Sequence, residues 1–295
     1  MLYHYTTIPA MRSILRDAGT RGQMCFWATR YDCFADAEEF KLGVETIRRL
    51  LPEVEKDMPT DRRIAPMFDW DEIKGNRNLP YPYVVSFTSR PDNDYMWREY
   101  AKEDGVVLEI DDTEKVEVLD TPMLRLASCL YADGSTDDKL TEMLRQEYTE
   151  VGNRILGGPQ KELAFALLKD YPQLFVKLIA TGLMFVTAPR IKSAKDYRME
   201  EETRAIIPLP VPSYNALIEG YDETISKFGL DPRELRTLVA NEHTRLKDNG
   251  STVFYREMHL PIHLLKGVYV KKEATKEEIE RFFAALGLDV PVRMV

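Results

Sequence analysis

The sequence predicts an α+β domain, and three observations carry that prediction. Segments rich in β-forming residues fall at both ends of the chain and in its middle. The segments with helical periodicity between them vary in length and spacing, which does not suit a regular βαβ repeat. Of 295 residues, 44% are hydrophobic and 30% charged, an ordinary globular balance that allows a sizeable core. No internal repeat, low-complexity tract or linker divides the chain. One domain over 1–295 is therefore expected, with a helical insertion at about 136–187.

Residues 2–5 read as a short strand. A helix follows, capped by Thr7, with Pro9 in its first turn. Ile8, Met11, Ile14, Leu15 and Ala18 recur at helical spacing, and Gly19 is the expected stop. Residues 24–28 suit a second strand. Residues 36–51 suit a helix with Phe40, Val44, Ile47 and Leu51 on one face. The polar, proline-containing stretch 52–82 reads as irregular. Residues 83–88 and 106–110 are strand-like. Between them Asn93 or Asp94 can cap a short helix through Lys102, which Gly105 ends. Residues 117–131 read as extended. Helical patterns cover 136–155 and 160–187, broken near Gly157-Gly158-Pro159 and Pro172. A strand at 204–209 precedes helices at 214–228 and 232–247, the second capped by Asp231 with Pro232 in its first turn. Residues 252–259 alternate like a strand. Thr275 and Glu278 have the spacing of a capping box for a last helix bearing Ile279, Phe282, Phe283 and Leu286.

The net charge of −9 disfavours non-specific nucleic-acid binding, which depends on lysine and arginine displacing counterions. Cys25, Cys33 and Cys129 are odd in number and lack CxxC spacing, so a reducing compartment is expected over a disulfide framework. The first residues lack the basic-then-apolar pattern of a signal peptide. The most apolar stretch, 174–186, is short and contains Lys177 and Gly182, which suits a buried helix and no membrane span. A cytoplasmic location follows as the expectation.

Four segments carry a resemblance. The first is Tyr3-His4-Tyr5-Thr6-Thr7, followed by a helix with Ile14-Leu15. The second is Phe34 to Phe40, where Ala35 and Ala37 stand in place of an Asn and a Pro. The third joins Ser86-Phe87-Thr88 to Met96-Trp97-Arg98-Glu99-Tyr100-Ala101 and Gly105-Val106-Val107-Leu108. The fourth is Tyr197 to Arg204, with Glu200, Glu202 and Arg204 at alternate positions, and Leu264 to Gly267 is a weaker echo. In this order they resemble the bacterial family catalogued as domain of unknown function 2971, whose name supplies no reaction. More distantly, His4, then Ser86-Phe87-Thr88-Ser89, then Glu200-Glu201-Glu202 resemble the motif order of ADP-ribosyltransferases. That resemblance implies a central, mostly antiparallel sheet and NAD as substrate. The activity implied is ADP-ribose transfer or NAD hydrolysis, in toxin or phage-defence settings.

Under that resemblance Glu202 would stabilise positive charge developing on the ribose, and Glu200 would orient or deprotonate an acceptor. His4 would bind the adenosine-side ribose, with Ser86 and Thr88 supporting the site. Tyr5, Trp97 or Tyr100 would stack on nicotinamide, and Arg204 or Arg90 would meet the pyrophosphate. His4, Ser86 and Glu202 should then line one cleft. The residues also admit plainer roles. Three glutamates beside arginines make ion pairs at a strand end. Histidine, serine and threonine are ordinary strand residues, and Met96, Trp97, Tyr100 and Ala101 form the i,i+4 pairs of a packing helix face. A non-catalytic module binding a nucleotide or a protein is the alternative.

No metal is expected. Asp32, Asp36 and Glu39 suit a helix N-terminus. His259 and His263 flank Pro261 in an extended stretch without the glutamate of a zinc helix. Asp92, Asp94, Glu109 and Lys192 lack a recognised nuclease spacing.

Overall fold

The computed structural model describes residues 1–34, 38–73, 82–102, 104–113, 125–133, 137–157, 169, 172–207, 242–247 and 250–295. Alternating apolar residues build the strands. These are β1 (Leu2–Thr6), β2 (Gln23–Arg30), β3 (Tyr83–Thr88), β4 (Val106–Ile110), β5 (Arg125–Ser128), β6 (Leu130–Ala132), β7 (Ile191–Ser193), β8 (Glu202–Ile207), β9 (Glu242–Leu246), β10 (Thr252–Pro261), β11 (Leu265–Val270) and β12 (Val292–Met294). Ten of them form one sheet in the order β12-β11-β4-β1-β3-β2-β10-β9, with β8 pairing β3 and β5 pairing β8. Among the described residues, only β11 and β12 run parallel within it; the separate β6–β7 pair is also parallel. The architecture is α+β with a mostly antiparallel sheet, as the element pattern predicts.

Successive side chains of a strand point to opposite faces. Leu2, Phe26, Phe87, Leu108 and Val268 therefore share one core. Helices α1 (Ile8–Ile14) and α5 (Glu273–Leu286) cover it with Met11, Ile279 and Phe283. On the opposite face Val84 and Ile206 join a second core. It is built by α2 (Glu38–Val54), α3 (Asp137–Gly157) and α4 (Pro172–Val186) through Val44, Leu51, Leu144 and Leu183. Helix α3 thus packs against α2. Gly43 lets α2 lie on the chain at Ala188, because a Cβ there would collide with that carbonyl oxygen. A third, small cluster joins Tyr5 and Val107 to Met96, Trp97 and Ala101.

Several boundaries differ from expectation. Thr7 caps α1 by accepting from the Ala10 N–H at 3.4 Å, but the left-handed stop is Gly22. Gly19 instead lies in a short helix, Ala18–Arg21, against the Leu286 carbonyl. Helix α2 continues through Pro52, which falls in its last turn. Residues 242–246, read as helix, form β9, because pairing with β10 outweighs their weak local preference. The last helix starts at Glu273, so no capping box forms. Thr275 is buried within it, and Glu278 accepts from Arg12 at 2.8 Å. The predicted helix 214–228 and the Gly157-Gly158-Pro159 break fall wholly or partly outside the described residues. Among the described residues no helix is long and apolar enough to cross a membrane.

Candidate functional site

A short turn, Arg198–Glu200, leads into β8, and Glu201 takes a left-handed conformation with φ 47°. This twist brings the carboxylates of Glu200 and Glu202 to the same lysine. Lys192 comes from β7 and donates to Glu200 Oε2 at 2.5 Å and Glu202 Oε2 at 2.6 Å. Arg204 donates Nε to Glu202 Oε1 at 2.8 Å and Nη2 to Glu202 Oε2 at 3.0 Å, and its third arm reaches the Pro189 carbonyl. The Tyr100 hydroxyl donates to Glu200 Oε1 at 2.6 Å. Two carboxylates thus face two cations, and all four carboxylate oxygens accept hydrogen bonds. The four charged side chains are each at most 4% exposed.

The surrounding chain is tied to this cluster. Thr88 Oγ1 donates to the Glu200 carbonyl at 2.8 Å, and Asn93 Nδ2 donates to the Met199 carbonyl at 2.6 Å. The Glu202 N–H donates to the Tyr131 hydroxyl at 2.8 Å. The Lys192 ammonium lies 4.5 Å from the centre of the Tyr197 ring. Burial by itself would raise the Glu202 carboxyl, but the Arg204 and Lys192 charges outweigh it and hold its pKa at about 2. Glu202 is therefore ionised, yet none of its oxygens is left without a donor. A general base or an oxocarbenium stabiliser needs an oxygen that can meet substrate. In this closed arrangement each of those oxygens is already engaged by a protein donor.

Over the cluster, Asn93 caps Asp94–Met96 by accepting from the Met96 N–H at 3.2 Å. The chain then widens into a π-turn, Trp97–Ala101. Lys102 ends it with φ 60° and ψ −170°, a backbone region that glycine alone adopts without strain. A residue held there costs about 1–3 kcal/mol, and such strain and π-turns concentrate at functional sites. The turn buries Met96, Trp97 and Ala101 as the i,i+4 pattern predicts, but it leaves Tyr100 46% exposed. Burial and the Glu200 carboxylate push the Tyr100 hydroxyl well above the usual tyrosine range, so it stays a donor.

Thr88, Glu200, Glu202, Arg204 and Tyr100 are thus brought together. Ser86 lies directly opposite Arg204 in the β3–β8 ladder and shares that face. His4 does not. Tyr3 pairs with Thr88, and Thr88 with Glu202, so these three share a face and His4 points to the other. There the His4 ring meets the edges of Phe26 and Phe87, with centroids at 5.2 and 5.8 Å. Its Nδ1 donates to the Ser86 carbonyl at 2.9 Å. Partners of β3 on that side are β1 at Thr88 and β2 at Val84 and Tyr83, so the histidine fills the place between two diverging strands. Burial lowers its pKa, against the opposing pull of the Ser86 carbonyl, and favours the neutral ring. The expectation that His4, Ser86 and Glu202 line one cleft is therefore corrected.

Tyr5 and Trp97 are corrected too, because both are committed to the 90–93 loop. Tyr5 donates to the Arg90 carbonyl at 2.9 Å and accepts from the Asn93 N–H at 3.0 Å; burial pushes its hydroxyl to about 12. Trp97, 2% exposed, donates to the Pro91 carbonyl at 2.9 Å. Arg204, expected at a pyrophosphate, is sealed inside the cluster, whereas Arg90 is exposed beside Glu201 at 3.6 Å. Glu109 belongs to a different group with Tyr3, Tyr269 and Arg293. Sequence reasoning gave Lys192 no role in this site and did not single out Tyr131.

Family models, curated proteins and solved structures were all compared with the chain, and none matches.

Proposed function

We propose that this protein is a binding module for a nucleotide of the ADP-ribose class, and that it does not cleave its ligand. The observation that carries the reading is the engagement of Glu200 and Glu202: both are buried, and each carboxylate oxygen already accepts a donor. What faces solvent around them is a recognition rim. The Tyr100 ring is offered outward while its hydroxyl is anchored, which suits stacking on a base. Arg90, Arg98 and Arg198 stand nearby in exposed ion pairs with Glu201, Glu99 and Asp133. Such pairs contribute only about 0–1 kcal/mol, so a pyrophosphate can displace them at small cost. Arginine suits that ligand because its planar fork matches phosphate oxygens.

Calorimetric titration with ADP-ribose tests the reading. One equivalent should bind, more weakly as salt rises. Tyr100→Ala and Arg90→Ala should each weaken binding while circular dichroism stays native. Absence of binding at millimolar ligand, or full affinity in Tyr100→Ala, would contradict it.

A second reading, an ADP-ribosyltransferase-like enzyme, is favoured by one feature. The strands bearing His4, Ser86–Thr88 and Glu202 are immediate neighbours, β1, β3 and β8. Release of nicotinamide from NAD, dependent on Glu202, would replace the first reading by the second.

A further inference from the structure

Cys25 and His259 are directly opposed in the β2–β10 ladder, and Glu257 lies two residues from His259 on the same face. Met24, Phe26, Met258 and Leu260 point into the first core, so these three point away from it. The Glu257 carboxylate accepts from the Cys25 thiol and is 3.3 Å from His259 Nε2. One ligand atom from each residue can be chosen so that all lie within 4.8 Å of one another. Neither strand contributes to the Tyr100 rim.

We propose that Cys25, Glu257 and His259 form a site for a borderline divalent cation of the zinc class. Sulfur, imidazole nitrogen and carboxylate oxygen are the donors that zinc takes. With bonds of about 2.0–2.3 Å, three such donors close around one ion after small side-chain rotations. Thiolate and carboxylate together neutralise the dication. Binding replaces the thiol S–H bond by a sulfur–metal bond and releases that proton to solvent. Cys25 is buried at 5% exposure while His259 is at the surface. The ion would therefore sit at the edge of the protein with a fourth position open to water or a ligand, as in zinc sites that do chemistry. Trp27 lies opposite Glu257 and stacks on Tyr255 at 4.5 Å, walling one side. Arg16 and Asp17 approach from the end of α1, where they pair at 3.5 Å and largely cancel.

Cobalt titration of the chelator-treated full chain, followed by absorption, tests the site. One cobalt per chain should bind with a sulfur-to-metal charge-transfer band, and one equivalent of zinc should bleach it. Cys25→Ser should abolish the band. His259→Gln, a surface change that does not threaten folding, should weaken binding about tenfold or more. His263→Gln should leave both unchanged. The proposal is overturned by absence of the band at saturating cobalt, by its persistence in Cys25→Ser, by unaltered affinity in His259→Gln, or by loss of binding in His263→Gln.

Discussion

On one face of β1, β3 and β8, His4 lies edge-on between Phe26 and Phe87 and closes a gap in the sheet; on the other, Thr88, Glu202 and Arg204 meet Lys192 and Glu200. The two faces are one strand thickness apart, and their energetics differ. The first is stabilised by apolar burial with a single hydrogen bond to Ser86. The second holds four charges out of water, which is stable only because every charge has a partner. A motif read as an order along the chain joins residues from both. Alternation along a strand separates them, since His4 and its neighbours Tyr3 and Tyr5 cannot point the same way.

The sharpest way to break this comparison is to remove one cation from the charged face. Lys192→Met leaves Glu200 with the Tyr100 hydroxyl and Glu202 with Arg204, and should cost about 3–5 kcal/mol in urea unfolding. Combined with Glu202→Gln, the loss should be smaller than the two separate losses added together, because the pair is coupled. Acid should reach the same face in the unchanged protein. The Glu202 carboxyl lies at about 2 in the fold against an ordinary value of 4.5. Its contribution is complete above pH 4.5 and should disappear as pH falls from there towards 2, read from unfolding midpoints.

The apolar face should respond less, and over a different range. His4→Phe keeps a ring between Phe26 and Phe87 but leaves the Ser86 carbonyl without its donor, at a cost of about 1–3 kcal/mol. It should leave ADP-ribose affinity unchanged. Because burial lowers the His4 pKa, the contribution of the neutral ring is complete above the free histidine value of 6.5 and should decline as pH falls below it. In a pH titration of stability, the parent should exceed His4→Phe by a constant amount above 6.5, and the gap should narrow as pH falls below it. The smallest effect is expected at Tyr100→Phe, which removes one partly exposed hydroxyl and should cost about 1 kcal/mol. It should retain most of the stacking on a nucleotide.

Much of the frame was legible. The strands at residues 2–6, 83–88 and 106–110 announce themselves by apolar and β-branched residues, and α1 by Thr7 and Pro9. What failed depended on partners outside the segment itself. Residues 242–246 have no strong preference, so β10 decides their state. The cap expected at Thr275 is lost because the helix starts two residues earlier, at Glu273. In the site, the role of Glu200, Glu202 and Arg204 required knowing that Lys192 arrives from β7. Likewise the sequence spacing pairs His259 with His263, whereas its companion across the ladder is Cys25.

The central claim is that Glu200 and Glu202 tie the fold and present Tyr100, and do not act on a substrate. The most direct test incubates the full-length protein with NAD, measures nicotinamide release, and repeats the assay with Glu202→Gln at a temperature where both are folded. No release is expected from either, with a lower unfolding midpoint in the variant. Release by the parent that vanishes in a folded Glu202→Gln protein would contradict it.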